Sequence, residues 1–116
     1  VRSKTEIPRA VAAVESAGLP YTVLDDRIQL KSGRLSISTM HLAKGLEFKA
    51  VVVMACDEEV IPSLHRIEDV GDDADLDEVY NTERHLLYVA CTRARDQLLV
   101  TGTSPVSEFV DDLMGD

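Results

Sequence analysis

The chain has no tryptophan and only two phenylalanines and three tyrosines. So few rings exclude a stacking platform of the kind that holds single-stranded nucleic acid by its base faces. Cysteine is nearly as scarce. Cys56 and Cys91 each lie within or at the end of an apolar run, and neither has a ligand neighbour at a zinc spacing. Two buried free thiols are expected rather than a disulfide. No apolar run reaches the ~18 residues of a membrane span, and no signal-peptide pattern occurs. The expected protein is soluble and cytoplasmic, with no membrane partner. Positive charge is the minority sign: 12 Lys and Arg face 21 Asp and Glu, a net −9. That is the reverse of the usual nucleic-acid footprint. Seven of the 21 acidic residues lie between Glu68 and Glu78, and the other 14 against 12 basic residues leave −2. The acidity belongs mostly to one segment. With no basic stripe, the chain by itself is expected to hold nucleic acid weakly or not at all. The phosphate loop Gly-x-x-x-x-Gly-Lys-Ser/Thr is missing as well. Gly102-Thr103 has no lysine partner, and Lys44-Gly45 runs in the wrong order. The chain is not expected to hydrolyse ATP alone.

What remains is an ordinary globular share of apolar residues, 45 % of 116, enough for one small domain with a single core. Val1-Arg2-Ser3-Lys4 reads as the exit of a strand that begins upstream. Thr5 can cap a helix over 6–17, with Pro8 in its first turn, Ile7, Ala10, Val11 and Val14 as the apolar stripe, and Gly18 as the stop. A short strand is expected over 21–24. Asp25 to Gly33 is a polar connection in which only Ile28 and Leu30 are apolar. Alternation over 35–40 predicts a second strand, and His41 to Gly45 a polar turn in which Gly45 can take positive φ. Ala50 to Ala55 is continuous and β-branched, as in a strand buried on both faces of a parallel sheet. Thr39, His41, Lys44 and Glu47 then cluster at a strand's carboxyl end, where open α/β sheets bind ligands. By spacing alone, the commoner reading is an ordinary solvated turn.

Cys56 to Thr82 reads as one long acidic loop, bent at Ile61-Pro62 and expected to be mobile over 64–80. Asp72 and Asp73 make a poor metal site there, because no structured element presents them together. A helix follows over 83–94, then a strand over 97–101. Ser104-Pro105 starts a helix over 105–113, with Val106, Phe109, Val110 and Leu113 on one face, and Met114-Gly115-Asp116 is a frayed end. Strands alternating with amphipathic stretches give an α/β fold with a mainly parallel sheet.

Two stretches carry a family resemblance. Thr39-Met40-His41-Leu42-Ala43-Lys44-Gly45-Leu46-Glu47-Phe48 resembles motif V of the UvrD/Rep/PcrA-type superfamily 1 DNA helicases. Glu83-Arg84, with Leu86-Leu87-Tyr88-Val89-Ala90-Cys91-Thr92-Arg93-Ala94-Arg95, resembles their motif VI. The motifs stand in the family's order with an acidic segment between. Arg2 resembles the arginine of motif IV, on two or three residues. The resemblance implies that 1–116 is most of the second, RecA-like (P-loop NTPase-type) motor domain, called 2A, with three layers. ATP and Mg²⁺ would sit between this domain and an N-terminal RecA-like domain carrying the phosphate loop and the metal ligands. Arg93 would be catalytic, reaching the γ-phosphate. Glu47 would accept from the ribose, and Arg2 would join them on the nucleotide. Thr39, His41 and Lys44 would touch or couple to single-stranded DNA. Arg84 and Tyr88 would orient their helix and fill the core, and Arg95 and Asp96 would form a surface pair.

The chain departs from UvrD and Rep in one respect. About ten residues bridge the point where those proteins insert the large 2B subdomain, so contacts made by 2B are not implied here. Three functions remain open: half of an ATP-dependent DNA helicase, a RecA-like module in a nuclease-helicase subunit or scaffold acting by protein contacts, or a stand-alone module for a nucleotide or small anion. A phosphate loop upstream in the same reading frame would separate the first from the last.

Overall fold

The computed structural model describes residues 1–27, 29–30 and 32–113. Ile28 of the polar connection and the frayed end expected at 114–116 lie outside the described residues. After a 3-10 turn at Lys4–Glu6, helix α1 spans Ile7–Ser16 with Pro8 in its first turn. Thr5 is not its cap. It lies inside the 3-10 turn, and Glu6 holds the cap position without a side-chain bond. Ala10 and Val14 are buried on one face of α1 and pack with Ile37.

Strand β1, Tyr21–Val23, pairs in parallel with β2, Leu35–Ile37, in the register Tyr21↔Leu35 to Val23↔Ile37. The second strand is shorter than alternation suggested. Met40 is only 2 % exposed and belongs to the core with Leu87 and Ala90, so the chain turns inward after Ile37. The expected polar turn is a short helix, α2, over Met40–Ala43, with Thr39 at its cap. Gly45 then takes φ +84, a conformation that costs glycine little.

Strand β3, Phe48–Val53, and β4, Ala94–Val100, form a second parallel pair, Ala50↔Gln97 through Val53↔Val100, with an irregularity between Phe48 and Ala50. The parallel expectation holds for both pairs. Among the described residues they form two two-stranded sheets rather than one. Gly102 follows β4 because a Cβ there would meet the Cys56 carbonyl oxygen at 2.6 Å.

The largest correction concerns the acidic segment. The stretch 64–80, expected as a structureless loop, contains helix α3 over Leu64–Glu68 and the first turns of α4, which spans Asp73–Cys91. Composition masked two helix signals. Asp72 caps α4 by accepting from the Asp75 N–H at 2.8 Å, and Asp73 and Asp75 sit at the positive end of the helix dipole. Leu76, Val79, Tyr80, Leu87 and Ala90 recur at helical spacing on its less exposed side. The C-terminal helix α5 is likewise Glu108–Leu113, shorter than expected.

The main core joins Met40, Val53, Cys56, Ile61, Leu87, Ala90, Cys91 and Phe109. Both cysteines are buried and free. Burial, and then the neighbouring Cys91, push the Cys56 thiol up to about 11, so it stays protonated. Arg9 ties α1 to the segments that follow β3 and β4, donating to Asp57 at 2.6 Å and to Thr103 at 3.2 Å. No helix among the described residues is long and apolar enough to cross a membrane.

If the start of α4 is set by its cap, Asp72→Ala should lower unfolding stability by about 1 kcal/mol. Urea denaturation followed by circular dichroism measures this. An unchanged midpoint would mean that the cap bond does not contribute.

Candidate functional site

Helix α4 hands over to β4 at Thr92 and Arg93. The Thr92 hydroxyl donates back to the Val89 carbonyl at 2.9 Å. The Arg93 carbonyl accepts from the Phe48 N–H at 2.8 Å, where β3 begins. The carboxyl ends of the two motif stretches are thereby joined at Phe48 and Arg93. Its half-buried side chain donates from Nε to the Val89 carbonyl at 3.0 Å, from Nη1 to the Leu46 carbonyl at 3.2 Å and from Nη2 to the Thr92 hydroxyl at 3.3 Å. All three acceptors are neutral. The guanidinium is oriented without being neutralised.

Arg93 lines a small polar cleft of about 510 Å³ together with Gly45, Leu46, Glu47, Thr92 and Arg95. Glu47 and Arg93, nominated for the same ligand, are thus on one cleft. Glu47 is mostly exposed, and its Oε1 lies 3.6 Å from Arg95 Nε, a long solvated pair worth little to stability. The expected surface partner of Arg95 is Asp96, but Arg95 lies beside Glu47 instead. The expected strand starts at 97, three residues later than β4 does. Because β4 starts at Ala94, paired with Phe48, Arg95 is carried beside Glu47.

Arg2 is elsewhere. It is buried, and its Nε and Nη2 donate to Glu83 Oε1 and Oε2 at 2.8 and 2.7 Å. Glu83 is 1 % exposed. It also accepts from the Ser63 N–H at 2.6 Å and from Arg66 Nη1 at 3.1 Å. Neither Arg2 nor Glu83 lines the cleft of Arg93. A cation this deep needs a carboxylate beside it, which the sequence offers 81 positions away. Burial raises the Glu83 carboxyl, but the Arg2 and Ser63 hydrogen bonds and the two arginine charges outweigh it and hold the group below the ordinary carboxylate range.

Thr39, His41 and Lys44 lie on and around α2. Thr39 is buried, whereas His41 and Lys44 face solvent. Desolvation, and then the charge of Arg2, draw His41 below its usual range, with Glu83 opposing. None of the three lines the cleft of Arg93, and of them His41 lies within reach of the Arg2 and Glu83 charges. Arg84 packs its guanidinium 4.8 Å from the Phe109 ring centre, as a helix-orienting residue would. Tyr88 does not fill the core: it is 59 % exposed, because Leu87 and Ala90 occupy the inward face of α4.

The model of the UvrD-like helicase C-terminal domain family matches residues 12–104. The chain belongs to that family. Its similarity to the ATP-dependent DNA helicase PcrA of Staphylococcus epidermidis is 39 % identity over 70 residues, which is 60 % of this chain and 9 % of that protein. Similarity to the "Probable DNA helicase" of Mycoplasma pneumoniae is 41 % over 83 residues, 72 % of this chain and 14 % of that one. A solved structure, the C-terminal domain of a possible DNA helicase from Lactobacillus plantarum WCFS1, superposes with a TM-score of 0.62 at 26 % identity, covering 94 % of this chain and 56 % of that one. The chain spans about a tenth of the length of the curated relatives it matches.

In this UvrD-like helicase C-terminal domain, sequence reasoning missed Glu83 as a fixed point, though it opens the motif VI stretch. A glutamate on the apolar face of a helix, with an arginine at a strand exit, was the available signal. Removing the Glu83 carboxylate leaves Arg2 buried without its partner, so Glu83→Ala should cost about 3–5 kcal/mol, read by urea unfolding. The sign with pH follows. A carboxyl held low stabilises the fold above its unfolded value of 4.5, and that contribution is lost as pH falls through the lower folded value. Stability should therefore drop on acidification below about pH 4.5, and Glu83→Ala should flatten that drop. The same acid slope in both proteins would assign it to other groups.

Proposed function

We propose that the chain is the second RecA-like half, with three layers, of an ATP-dependent DNA helicase or translocase working in the cytoplasm. The observation that carries this reading is the shared cleft of Glu47 and Arg93 in a member of a helicase domain family. A carboxylate that accepts hydrogen bonds suits vicinal ribose hydroxyls. A guanidinium held by three neutral acceptors suits phosphate oxygens, because no carboxylate among the described residues pairs with it.

The residues present fit one side of a nucleotide and not its metal. Among the described residues no three His, Cys, Asp or Glu side chains converge as a metal site. The Mg²⁺ ligands and the phosphate cradle are assigned to the N-terminal RecA-like domain, across the cleft. When the domains close, Arg93 keeps these acceptors, offers its remaining N–H groups to the terminal phosphate and stabilises the charge that spreads over its oxygens during transfer. Because its acceptors fix the planar fork beforehand, little reorganisation is needed at that moment. Glu47, with Arg95 beside it, orients the sugar. Thr39, His41 and Lys44 on the α2 turn follow single-stranded DNA. Arg2 acts on the nucleotide only through its position, since Glu83 holds two of its nitrogens.

The test uses the polypeptide carrying both halves. Arg93→Ala should lower kcat on the order of 10³-fold or more, the range of arginine fingers, while ATP affinity falls far less. Arg93→Lys should recover only part of the rate, for lack of the planar fork. Near-normal turnover in Arg93→Ala would end this reading. Residues 1–116 alone should show no Mg²⁺-dependent ATP turnover, and clear turnover would overturn the half-site.

A further inference from the structure

The cleft holds a second arginine. Arg93 and Arg95 flank Ala94, where β4 begins, and both line the cleft. The Arg93 carbonyl already bonds the Phe48 N–H, so the alternation of the strand reaches back to it. Side chains two apart on a strand share a face, which sends both guanidinium groups from one side of β4.

The two are held in opposite ways. Arg93 is fixed by three neutral acceptors. Arg95 has Glu47 as its one counter-charge among the described residues, with Nε 3.6 Å from Oε1, beyond hydrogen-bonding distance. The Arg95 and Glu47 side chains are 56 % and 67 % exposed, so the pair is solvated and cheaply parted. Arg95 keeps its N–H donors for another acceptor. Charge says which kind. Arg93 and Glu47 alone would leave the cleft neutral, at the negative pole of α4, a poor place for a polyphosphate. Arg95 supplies the positive charge in excess.

Resting on the reading that Glu47 meets the ribose and Arg93 the terminal phosphate, we infer that Arg95 is a further nucleotide-binding residue, taking a phosphate that ATP and ADP share. Its place beside Glu47 puts it at the sugar end of the chain of phosphates. When the nucleotide enters, Glu47 leaves Arg95 for the ribose hydroxyls. The released guanidinium turns to phosphate oxygens, in charge-assisted bonds stronger than the long pair it gives up. That phosphate is present before and after transfer. The contact is therefore alike in the ground and transition states, and it serves affinity more than rate.

The polypeptide carrying both halves tests this, by calorimetric titration with Mg²⁺–ADP and by ATP turnover. Arg95→Gln should weaken ADP binding about tenfold and raise the KM for ATP by a similar factor, while kcat falls far less. Arg95→Lys, which keeps the charge without the fork, should recover part of the affinity. In a Glu47→Gln background, Arg95→Gln should again cost about tenfold, because Arg95 meets the phosphate directly. Loss of its effect in that background would reduce Arg95 to a support for Glu47 and overturn the contact. So would unchanged ADP affinity in Arg95→Gln, or a kcat loss as large as the rise in KM. An unaltered polypeptide that neither binds ADP nor turns over ATP would refute the half-site and this contact together. Normal turnover in the unaltered polypeptide, with ADP affinity unchanged in Arg95→Gln, would refute Arg95 alone.

Discussion

A carboxylate at 1 % exposure cannot remain charged without close compensation, and the arrangement of this domain answers that constraint. Glu83 accepts four hydrogen bonds from three places: two from Arg2, one from the backbone of Ser63, where α3 begins, and one from Arg66 within α3. These segments are far apart in sequence, and each is short or irregular by itself. Because Arg2 is anchored, the Val1 backbone is held against Ser38 and Met40, and α2 is held against α4. Met40, Leu87 and Ala90 then pack together. The polar group does not replace the core. It fixes the relative placement of the two motif segments, and apolar packing secures that placement.

The same physics separates two arginines that the sequence nominated for one ligand. Arg2 is buried and its charge is met by Glu83 in a bidentate pair. Arg93 is half-buried and held by two carbonyls and a hydroxyl. Both are ordered, but only Arg93 is ordered without a counter-charge. An arginine that must act on an incoming phosphate needs that condition, since an existing carboxylate would compete for the fork. The exposed, 3.6 Å contact between Glu47 and Arg95 is weak enough to be exchanged for sugar hydroxyls.

Residues whose role is set by local periodicity were legible in the sequence. The α1 stripe, the β-branched run of β3, the apolar face of α4 and the positive φ of Gly45 follow from spacing and sterics. Glu47 and Arg93 converge because each immediately precedes a strand of the β3–β4 pair, so they meet at the amino ends of those strands and not at the carboxyl end where spacing placed Glu47. What was not legible depends on long-range partners. Asp72 to Glu78 looked too charged to fold, yet its first acids cap a helix whose apolar positions begin only at Leu76. Tyr88 looked like a core residue, but Leu87 and Ala90 define the buried side. Arg95 was assigned to Asp96 because the start of β4 depends on pairing with β3, which no local window contains. Glu83 was hidden for the same reason, since its partners lie 81 and 17 positions away.

The acidity of the chain remains to be reconciled with the phosphate-binding role proposed for the cleft. Helix α4 has 19 residues. At ~1.5 Å rise per residue, its acidic first turns lie roughly 25–30 Å along the axis from Arg93. That is about three screening lengths at physiological salt, ~8 Å each, so those carboxylates hardly oppose a phosphate at the other end. At their own end they favour the positive pole of the helix dipole. The opposite pole is the harder problem, because unpaired carbonyls at the carboxyl end of a helix repel an anion. There the Arg93 Nε bonds the Val89 carbonyl and the Thr92 hydroxyl bonds it too, so one of the last carbonyls faces a guanidinium instead of the ligand. The five acids from Asp72 to Glu78 are thus separated along one rigid element from the cleft proposed to meet a phosphate.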